Sequence, residues 1–119
     1  MILAVVDDLM FASKIRSAAT HLGVRLAFAR SAEAALAEMR KSAPTLVIFD
    51  LNSPRTNPIA IVTAMKAEPA LASIPTLGFV SHVDTSTIDA ARQAGMDEVL
   101  ARSAFTAQLG EILGRGQRP

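Results

Sequence analysis

The length, composition and charge of the chain exclude several classes of protein. Its 119 residues suffice for one hydrophobic core, so a single domain over residues 1–119 is expected. Half of the residues are hydrophobic and 19% are charged, which excludes a disordered chain. The net charge of +1, without clustered Lys or Arg, argues against a nucleic-acid surface. Because the chain has no cysteine and no apolar stretch of membrane-spanning length, we expect a cytoplasmic protein without a membrane partner.

The first quarter of the chain predicts two strands separated by a helix. The apolar run 2–6 is typical of a buried strand, and residues 10–22 have helical periodicity. Gly23 is the expected end of this helix, because glycine readily adopts the left-handed conformation. Residues 24–29 predict the second strand.

A second helix and a wholly apolar strand come next. Ser31 is the expected N-cap of a helix over about residues 32–41, because its hydroxyl can accept a hydrogen bond from a free N–H group. Residues 46–49 are all apolar, which is typical of a strand covered on both faces. Asp50 stands at the C-terminal end of this third strand.

The second half continues the alternation. Asn57 followed by proline predicts a helix start, and that helix runs through about residue 67. Residues 76–80 predict the fourth strand. A fourth helix is expected over 85–94, with Gly95 as its terminator.

The last segment completes a fifth strand and helix pair. A short strand is expected near 98–101, and Ser103 can cap a final helix that reaches about residue 113. Residues 114–119 predict a short polar tail. Five successive βα units predict an α/β fold, a doubly wound (βα)₅ flavodoxin-like three-layer sandwich with parallel strand order 2-1-3-4-5.

Three carboxylates are expected to meet at one edge of this sheet. In strand order 2-1-3-4-5, strands one and three are neighbours, so Asp7 and Asp8 after strand one lie near Asp50. Such a cluster repels itself unless a cation compensates, and oxygen ligands with room for water suit Mg²⁺. Asp50 beside Mg²⁺ is a candidate nucleophile toward a phosphoryl group. Ser81 and Arg102, after strands four and five, could stabilise the phosphoryl charge.

Three motifs carry a resemblance to a known family. Residues 5–8 end in an acidic pair after a strand, residues 46–54 place a proline four positions after Asp50, and residues 95–100 lead into the fifth strand. The whole chain resembles the receiver domain of bacterial two-component response regulators, with Ser81 at the family's Ser/Thr switch position.

The resemblance implies a role for each residue of the acidic site. Asp8 and Asp50 would bind Mg²⁺ through their carboxylates, Asn52 through its backbone carbonyl, and Asp7 would order metal-bound water. A histidine kinase or phosphotransfer protein would phosphorylate Asp50, and an unidentified downstream protein would respond. Enzymatic activity beyond self-catalysed phosphoryl acceptance and slow autodephosphorylation is not expected.

The sequence departs from the family at the end of the fifth strand. Arg102-Ser103 stands where the family has lysine and proline, and Val99 stands where many members have Tyr or Phe. A guanidinium group is larger and fork-shaped, so it does not simply replace an ammonium group in a tight site. A branched aliphatic side chain also cannot reproduce the aromatic rotamer change. These departures bear on the readout of phosphorylation more than on its chemistry.

Structural interpretations of the same residues stay open. The pair Asp7-Asp8 could simply cap a helix, Asp50 could belong to a turn, and Ser81 could be an ordinary strand-end hydroxyl. Arg102 could be a solvated surface charge. His21 and His82 are not expected to be catalytic, because neither has a second ligand at metal spacing.

Two alternative functions stay open as well. The first is a phosphorylation-independent pseudo-receiver, a binding module of the same fold. The second is a small Mg²⁺-dependent phosphatase with Asp50 as nucleophile. The phosphatase is disfavoured, because Asn52 stands where a second acidic residue would be needed as acid and base.

Overall fold

A computed structural model describes residues 1–53, 55–81 and 84–115 of the protein. These residues form five strands and six helices. The strands are β1 (Ile2–Val5), β2 (Leu26–Ala29), β3 (Leu46–Asp50), β4 (Thr76–Val80) and β5 (Glu98–Ala101). The helices are α1 (Leu9–Leu22), α2 (Ala32–Ser42), α3 (Pro58–Ala67), α4 (Thr85–Ala94), α5 (Arg102–Ala107) and α6 (Leu109–Arg115). None of these helices is long and apolar enough to cross a bilayer.

The five strands form one parallel sheet in the order β2-β1-β3-β4-β5. This order confirms the predicted doubly wound fold. The chain adds β2 on one side of β1 and then adds β3, β4 and β5 on the other side, so the strand order reverses between β1 and β3. At this point Val5 is in register with Phe49. The carboxyl ends of both strands therefore open into the same crevice, which is where such folds bind ligands.

Helices cover both faces of the sheet, and each face has its own apolar core. Alternate residues of β3 point to opposite faces, with Ile48 in the core beneath α1, α5 and α6 and Phe49 in the core beneath α2, α3 and α4. Both side chains are completely buried. Burial on two faces explains why this strand is wholly apolar until it reaches Asp50.

Several predicted helix ends are confirmed. Gly23 and Gly95 both adopt the left-handed conformation, with φ of 70° and 108°. Ser31 caps α2, because its Oγ accepts a hydrogen bond from the Ala34 N–H at 3.1 Å. Asn57 precedes α3 as predicted, but it has a left-handed backbone and makes no side-chain cap bond.

The second strand starts later than predicted, because the first residues predicted for it form the C-terminal end of α1 instead. The Val24 N–H donates to the Ala19 carbonyl at 2.9 Å, which closes the helix after Gly23. The strand begins at Leu26 for this reason, although Val24 is buried in the core. The first strand likewise ends one residue early, at Val5.

The prediction for the last helix was wrong in its start and in its continuity. The helix begins at Arg102 without a side-chain cap, so Ser103 lies in its first turn. Gln108 then interrupts the segment, and the chain resumes as α6 and reaches Arg115 instead of ending at 113. Phe105 of α5 and Ile112 of α6 are both completely buried in the same core. Residues 116–119 of the predicted tail lie outside the described residues.

Candidate functional site

The predicted site residues surround one cavity at the carboxyl edge of the sheet. This cavity has a volume of about 280 Å³. Its lining consists of the six predicted residues and Ser53, which the sequence did not single out: Asp7, Asp8, Asp50, Asn52, Ser53, Ser81 and Arg102. The ends of β1, β3, β4 and β5 deliver these side chains from distant parts of the chain.

Asp50 is a partly buried carboxylate of the cavity. Its Oδ1 accepts a hydrogen bond from the Asn52 N–H at 3.0 Å, which leaves Oδ2 for other contacts. Burial raises the pKa of Asp50 above its usual value, and the nearby charges of Asp8 and Asp7 act in the same direction. The Asn52 N–H and the positive charge of Arg102 oppose this increase. A partly desolvated carboxylate with one oxygen that accepts no hydrogen bond from the described residues is suited to attack an electrophile.

Asp8 uses its two carboxylate oxygens differently. Oδ1 caps α1 by accepting hydrogen bonds from the N–H groups of Met10 at 3.0 Å and Phe11 at 3.1 Å. Oδ2 accepts a longer bond from Arg102 Nη2 at 3.4 Å. The Phe11 N–H is the main reason why the pKa of Asp8 lies below its usual value, and Arg102 and Met10 lower it further. Asp8 is therefore the N-cap of α1 and also one of the residues that line the cavity.

Asp7 is paired with two arginines that the sequence did not identify as site residues. Arg30 Nε lies 3.2 Å from Asp7 Oδ1, and Arg55 Nε lies 3.6 Å from Asp7 Oδ2. The predicted strand order could have identified Arg30. Arg30 directly follows β2, which lies beside β1, so its position near Asp7 follows from the predicted topology.

Arg102 lies over the ring of Phe11 at the rim of the cavity. Its guanidinium carbon is 4.1 Å from the ring centroid, a cation–π distance, while Nη2 contacts Asp8. The guanidinium group is thus held between a carboxylate and an aromatic face. These contacts distinguish Arg102 from a freely solvated surface charge.

The side chain of Asn52 connects two strand ends. Asn52 Oδ1 accepts hydrogen bonds from the Ser81 N–H at 2.6 Å and from the Ser81 hydroxyl at 2.9 Å. The sequence assigned Asn52 only a backbone carbonyl, so this contact was missed. Ser81 is thus held by the loop that follows Asp50.

The donor set of the cavity fits Mg²⁺ in kind. Asp8 Oδ2, Asp50 Oδ2 and the Asn52 backbone carbonyl are hard oxygen donors of the type that this ion prefers. In the present arrangement, no group of three or more His, Cys, Asp or Glu side chains among residues 1–53, 55–81 and 84–115 is placed to hold a metal ion. Arginine side chains contact two of the three carboxylates instead.

Solved structures of response regulators share this fold. A response regulator from Hahella chejuensis is 20% identical with a TM-score of 0.84, over 95% of this chain and 91% of the other. The phosphorylated cyanobacterial phytochrome response regulator RcpA is 22% identical with a TM-score of 0.79, over 94% and 86%. The Mn²⁺-bound response regulator Rcp1 is 18% identical with a TM-score of 0.78, over 93% and 89%.

The family assignment comes from the sequence itself. The family model of the response regulator receiver domain matches residues 2–113, which include every lining residue of the cavity. No curated protein matches the chain. The acidic pair, the aspartate that ends the third strand and the strand order all agree with this match. The chain belongs to the response regulator receiver domain family of two-component systems.

Proposed function

We propose that this receiver accepts a phosphoryl group on Asp50 with the help of Mg²⁺ and thereby changes its affinity for a partner protein. The observation that carries the proposal is the placement of Asp50. Its Oδ2 has no hydrogen bond from the described residues, and it faces a cavity that Asp8, Ser81 and Arg102 also line. The cavity thus brings together a nucleophile, oxygen donors of the kind that Mg²⁺ prefers and the positive charge of Arg102.

The proposed donor is the phosphohistidine of a histidine kinase or of a phosphotransfer protein. Asp50 Oδ2 attacks phosphorus, and the phosphorus bond to the donor nitrogen breaks, with the electron pair remaining on that nitrogen. Mg²⁺, when bound by Asp8, Asp50 and the Asn52 carbonyl, would neutralise charge on the transferring oxygens. The N–H of Asn52 keeps the Asp50 carboxylate oriented toward the cavity throughout.

Ser81 and Arg102 are the proposed contacts of the phosphorylated state. The Ser81 hydroxyl would leave Asn52 Oδ1 and donate to a phosphoryl oxygen, because a dianion is a stronger acceptor than a neutral amide. Arg102 would turn from Asp8 toward the phosphoryl group. Both movements change the surface near β4 and β5, where we propose that the downstream protein binds. RcpA is a phosphorylated response regulator and Rcp1 a Mn²⁺-bound one, so proteins of this fold take up both a phosphoryl group and a divalent cation, which supports the proposed chemistry by analogy.

A phosphorylation-independent pseudo-receiver is the second candidate, and two observations favour it. Arg102 is already bound to Asp8 and Phe11. Val99 on β5 packs with the core beneath α4 and has no aromatic ring to move. The phosphatase hypothesis gains no support, because the Asn52 carboxamide cannot act as a general acid or base and its Oδ1 accepts hydrogen bonds from Ser81.

Phosphorylation can be tested by intact-protein mass spectrometry after incubation with Mg²⁺ and acetyl phosphate. We expect a gain of one phosphoryl group in the wild type and none in Asp50→Asn. Asp89→Asn is the matched control, because it removes an exposed carboxylate on α4, and it should label like the wild type. Labelling of Asp50→Asn to the wild-type extent would contradict the proposal. An unlabelled wild type would favour the pseudo-receiver.

A further inference from the structure

Asp8 has one oxygen to offer a metal ion, and Arg102 contacts that oxygen. The cap of α1 uses Oδ1 for two N–H groups, so a cation at Asp8 must bind Oδ2. Arg102 Nη2 lies 3.4 Å from Oδ2. A guanidinium group and a divalent cation therefore require the same atom.

The aromatic core fixes Arg102 in this position. The guanidinium carbon lies 4.1 Å from the centroid of the Phe11 ring. That ring packs in turn against Phe79 and Phe105, with centroid distances of 4.8 Å and 5.8 Å, and all three rings are buried. Arg102 is thus held in a fixed place by a rigid support, which reduces the entropy lost when it binds Asp8.

Arginines also balance the charge of the cavity. Asp7 contacts Arg30 and Arg55, and Asp8 contacts Arg102, so three guanidinium groups stand against the three carboxylates of Asp7, Asp8 and Asp50. An acidic cavity normally attracts a divalent cation because its own charge is uncompensated. Here much of that attraction is already compensated by side chains.

We propose that Arg102 is a built-in competitor of Mg²⁺ at Asp8, so that the metal binds only when the guanidinium group leaves Oδ2. This inference rests on the proposed Mg²⁺ site and adds its regulation. The chain should bind Mg²⁺ weakly, and each bound ion should release Arg102 from Asp8. Metal binding and the position of the β5–α5 junction are then coupled.

Isothermal titration calorimetry with Mg²⁺ tests the competition directly, and it is chosen because the chain has no Trp or Tyr whose intrinsic fluorescence could follow metal binding. Arg102→Gln removes the competing charge, and we expect the dissociation constant for Mg²⁺ to fall by about tenfold. The matched control is Arg115→Gln. Arg115 forms a similarly exposed pair with Glu98 at 2.9 Å, at the opposite edge of the sheet, and its loss should leave Mg²⁺ affinity unchanged.

A second pair of variants locates the effect. When Asp8→Asn is combined with Arg102→Gln, the increase in Mg²⁺ affinity should be lost, because asparagine still caps α1 but offers no charge to the metal. Arg102→Lys should bind Mg²⁺ with an affinity between those of the wild type and Arg102→Gln, since lysine keeps the charge but loses the planar stack on Phe11. An unchanged or weaker affinity in Arg102→Gln overturns the inference. An equal gain in Arg115→Gln does so too.

These outcomes are separate from those of the phosphorylation test, because calorimetry uses no phosphodonor. If Arg102→Gln binds Mg²⁺ more tightly while Asp50 is never labelled, the competition stands and the proposed phosphoacceptor function falls. If Asp50 is labelled while Mg²⁺ affinity does not depend on Arg102, the competition falls and the function stands.

Discussion

At the scale of single residues, Asp8 joins local and tertiary requirements in one side chain. Oδ1 satisfies two N–H groups at the start of α1, while Oδ2 faces the cavity and Arg102. The sequence permitted both interpretations, the cap and the site ligand, and treated them as alternatives. The structure shows that they are compatible, because a carboxylate has two oxygens that can point in different directions.

Substitution of Asp8 separates the two roles. Asp8→Ala removes the cap and should lower the free energy of unfolding by about 1 kcal/mol at pH 7, whereas Asp8→Asn should lower it much less. Because the pKa of Asp8 is lowered in the folded state, the charged form is stabilising above about pH 4, and this contribution is lost as the pH falls through the folded-state pKa. The difference in the free energy of unfolding between the wild type and Asp8→Ala should therefore be smaller at low pH than at pH 7. Urea denaturation at pH 7 and pH 3 measures both effects, and equal losses in the two variants would contradict the capping role.

At the scale of elements, close packing between β4 and its neighbours depends on Gly78. A Cβ atom at this position would lie 2.5 Å from Met96 Sδ and 3.0 Å from Leu51 Cδ1. Gly78 is buried in the centre of the strand, so these side chains must move to accept an added methyl group. Gly78→Ala should therefore destabilise the fold by about 1–3 kcal/mol, as is typical of overpacking.

Gly110→Ala is the matched control for this substitution. Gly110 lies in α6, and an added Cβ would meet only Leu22 Cδ1 at 4.0 Å. Alanine should stabilise this helix by about 0.5–1 kcal/mol, because glycine loses more backbone entropy in a helix. Thermal or chemical denaturation of the two variants should give shifts of opposite sign. A stabilised Gly78→Ala variant would show that Met96 and Leu51 adapt without strain.

Element boundaries were predictable where local chemistry alone sets them. Gly23, Ser31 and Gly95 mark helix ends through backbone conformation or a short-range hydrogen bond, and these predictions are confirmed. Ser103 has the chemistry of a cap, yet α5 starts one residue before it. Because β5 ends at Ala101 and α5 begins at the next residue, Arg102, no loop is left in which Ser103 could act as the cap.

At the scale of the whole molecule, the charge on Asp50 opposes folding. Burial raises the pKa of Asp50, so the folded state binds its proton more tightly than the unfolded chain does. Stability from this group is fully present below about pH 4, and it is lost as the pH rises through the folded-state pKa. At neutral pH the charged carboxylate of Asp50, the proposed phosphoacceptor, therefore lowers the free energy of unfolding.

Asp50→Asn should be more stable than the wild type at pH 7 in metal-free buffer. Asparagine keeps an acceptor for the Asn52 N–H and removes the buried charge. We expect Tm to rise by a few degrees, since about 1 kcal/mol corresponds to about 4 °C for a domain of this size. The gain should vanish below about pH 4, where the wild-type carboxyl is also neutral. Differential scanning calorimetry at both pH values measures this increase in Tm, with the exposed Asp89→Asn as the control. An increase in Tm that persists at low pH would show that removal of the Asp50 charge is not its cause.

Much of the candidate site was predictable because topology places backbone positions reliably. Asp50 is the last residue of β3, and Asp7, Asp8, Ser81 and Arg102 come just after other strands, so the strand order alone brings all five to one edge. The partners of the long side chains were not predictable. An arginine has many rotamers and a long reach, and its choice among several carboxylates depends on packing that strand order does not specify.

The sequence by itself determined the five βα units, the family and six of the seven residues around the cavity, all but Ser53. It could do so because apolar periodicity, helix-end glycines and short motifs are local properties of the chain. Only the tertiary structure decided that Arg102 rests on Phe11 and contacts Asp8, and that Asn52 holds Ser81. These contacts join residues that are distant in sequence, so they exist only after the sheet has assembled and fixed the distances between its strand ends.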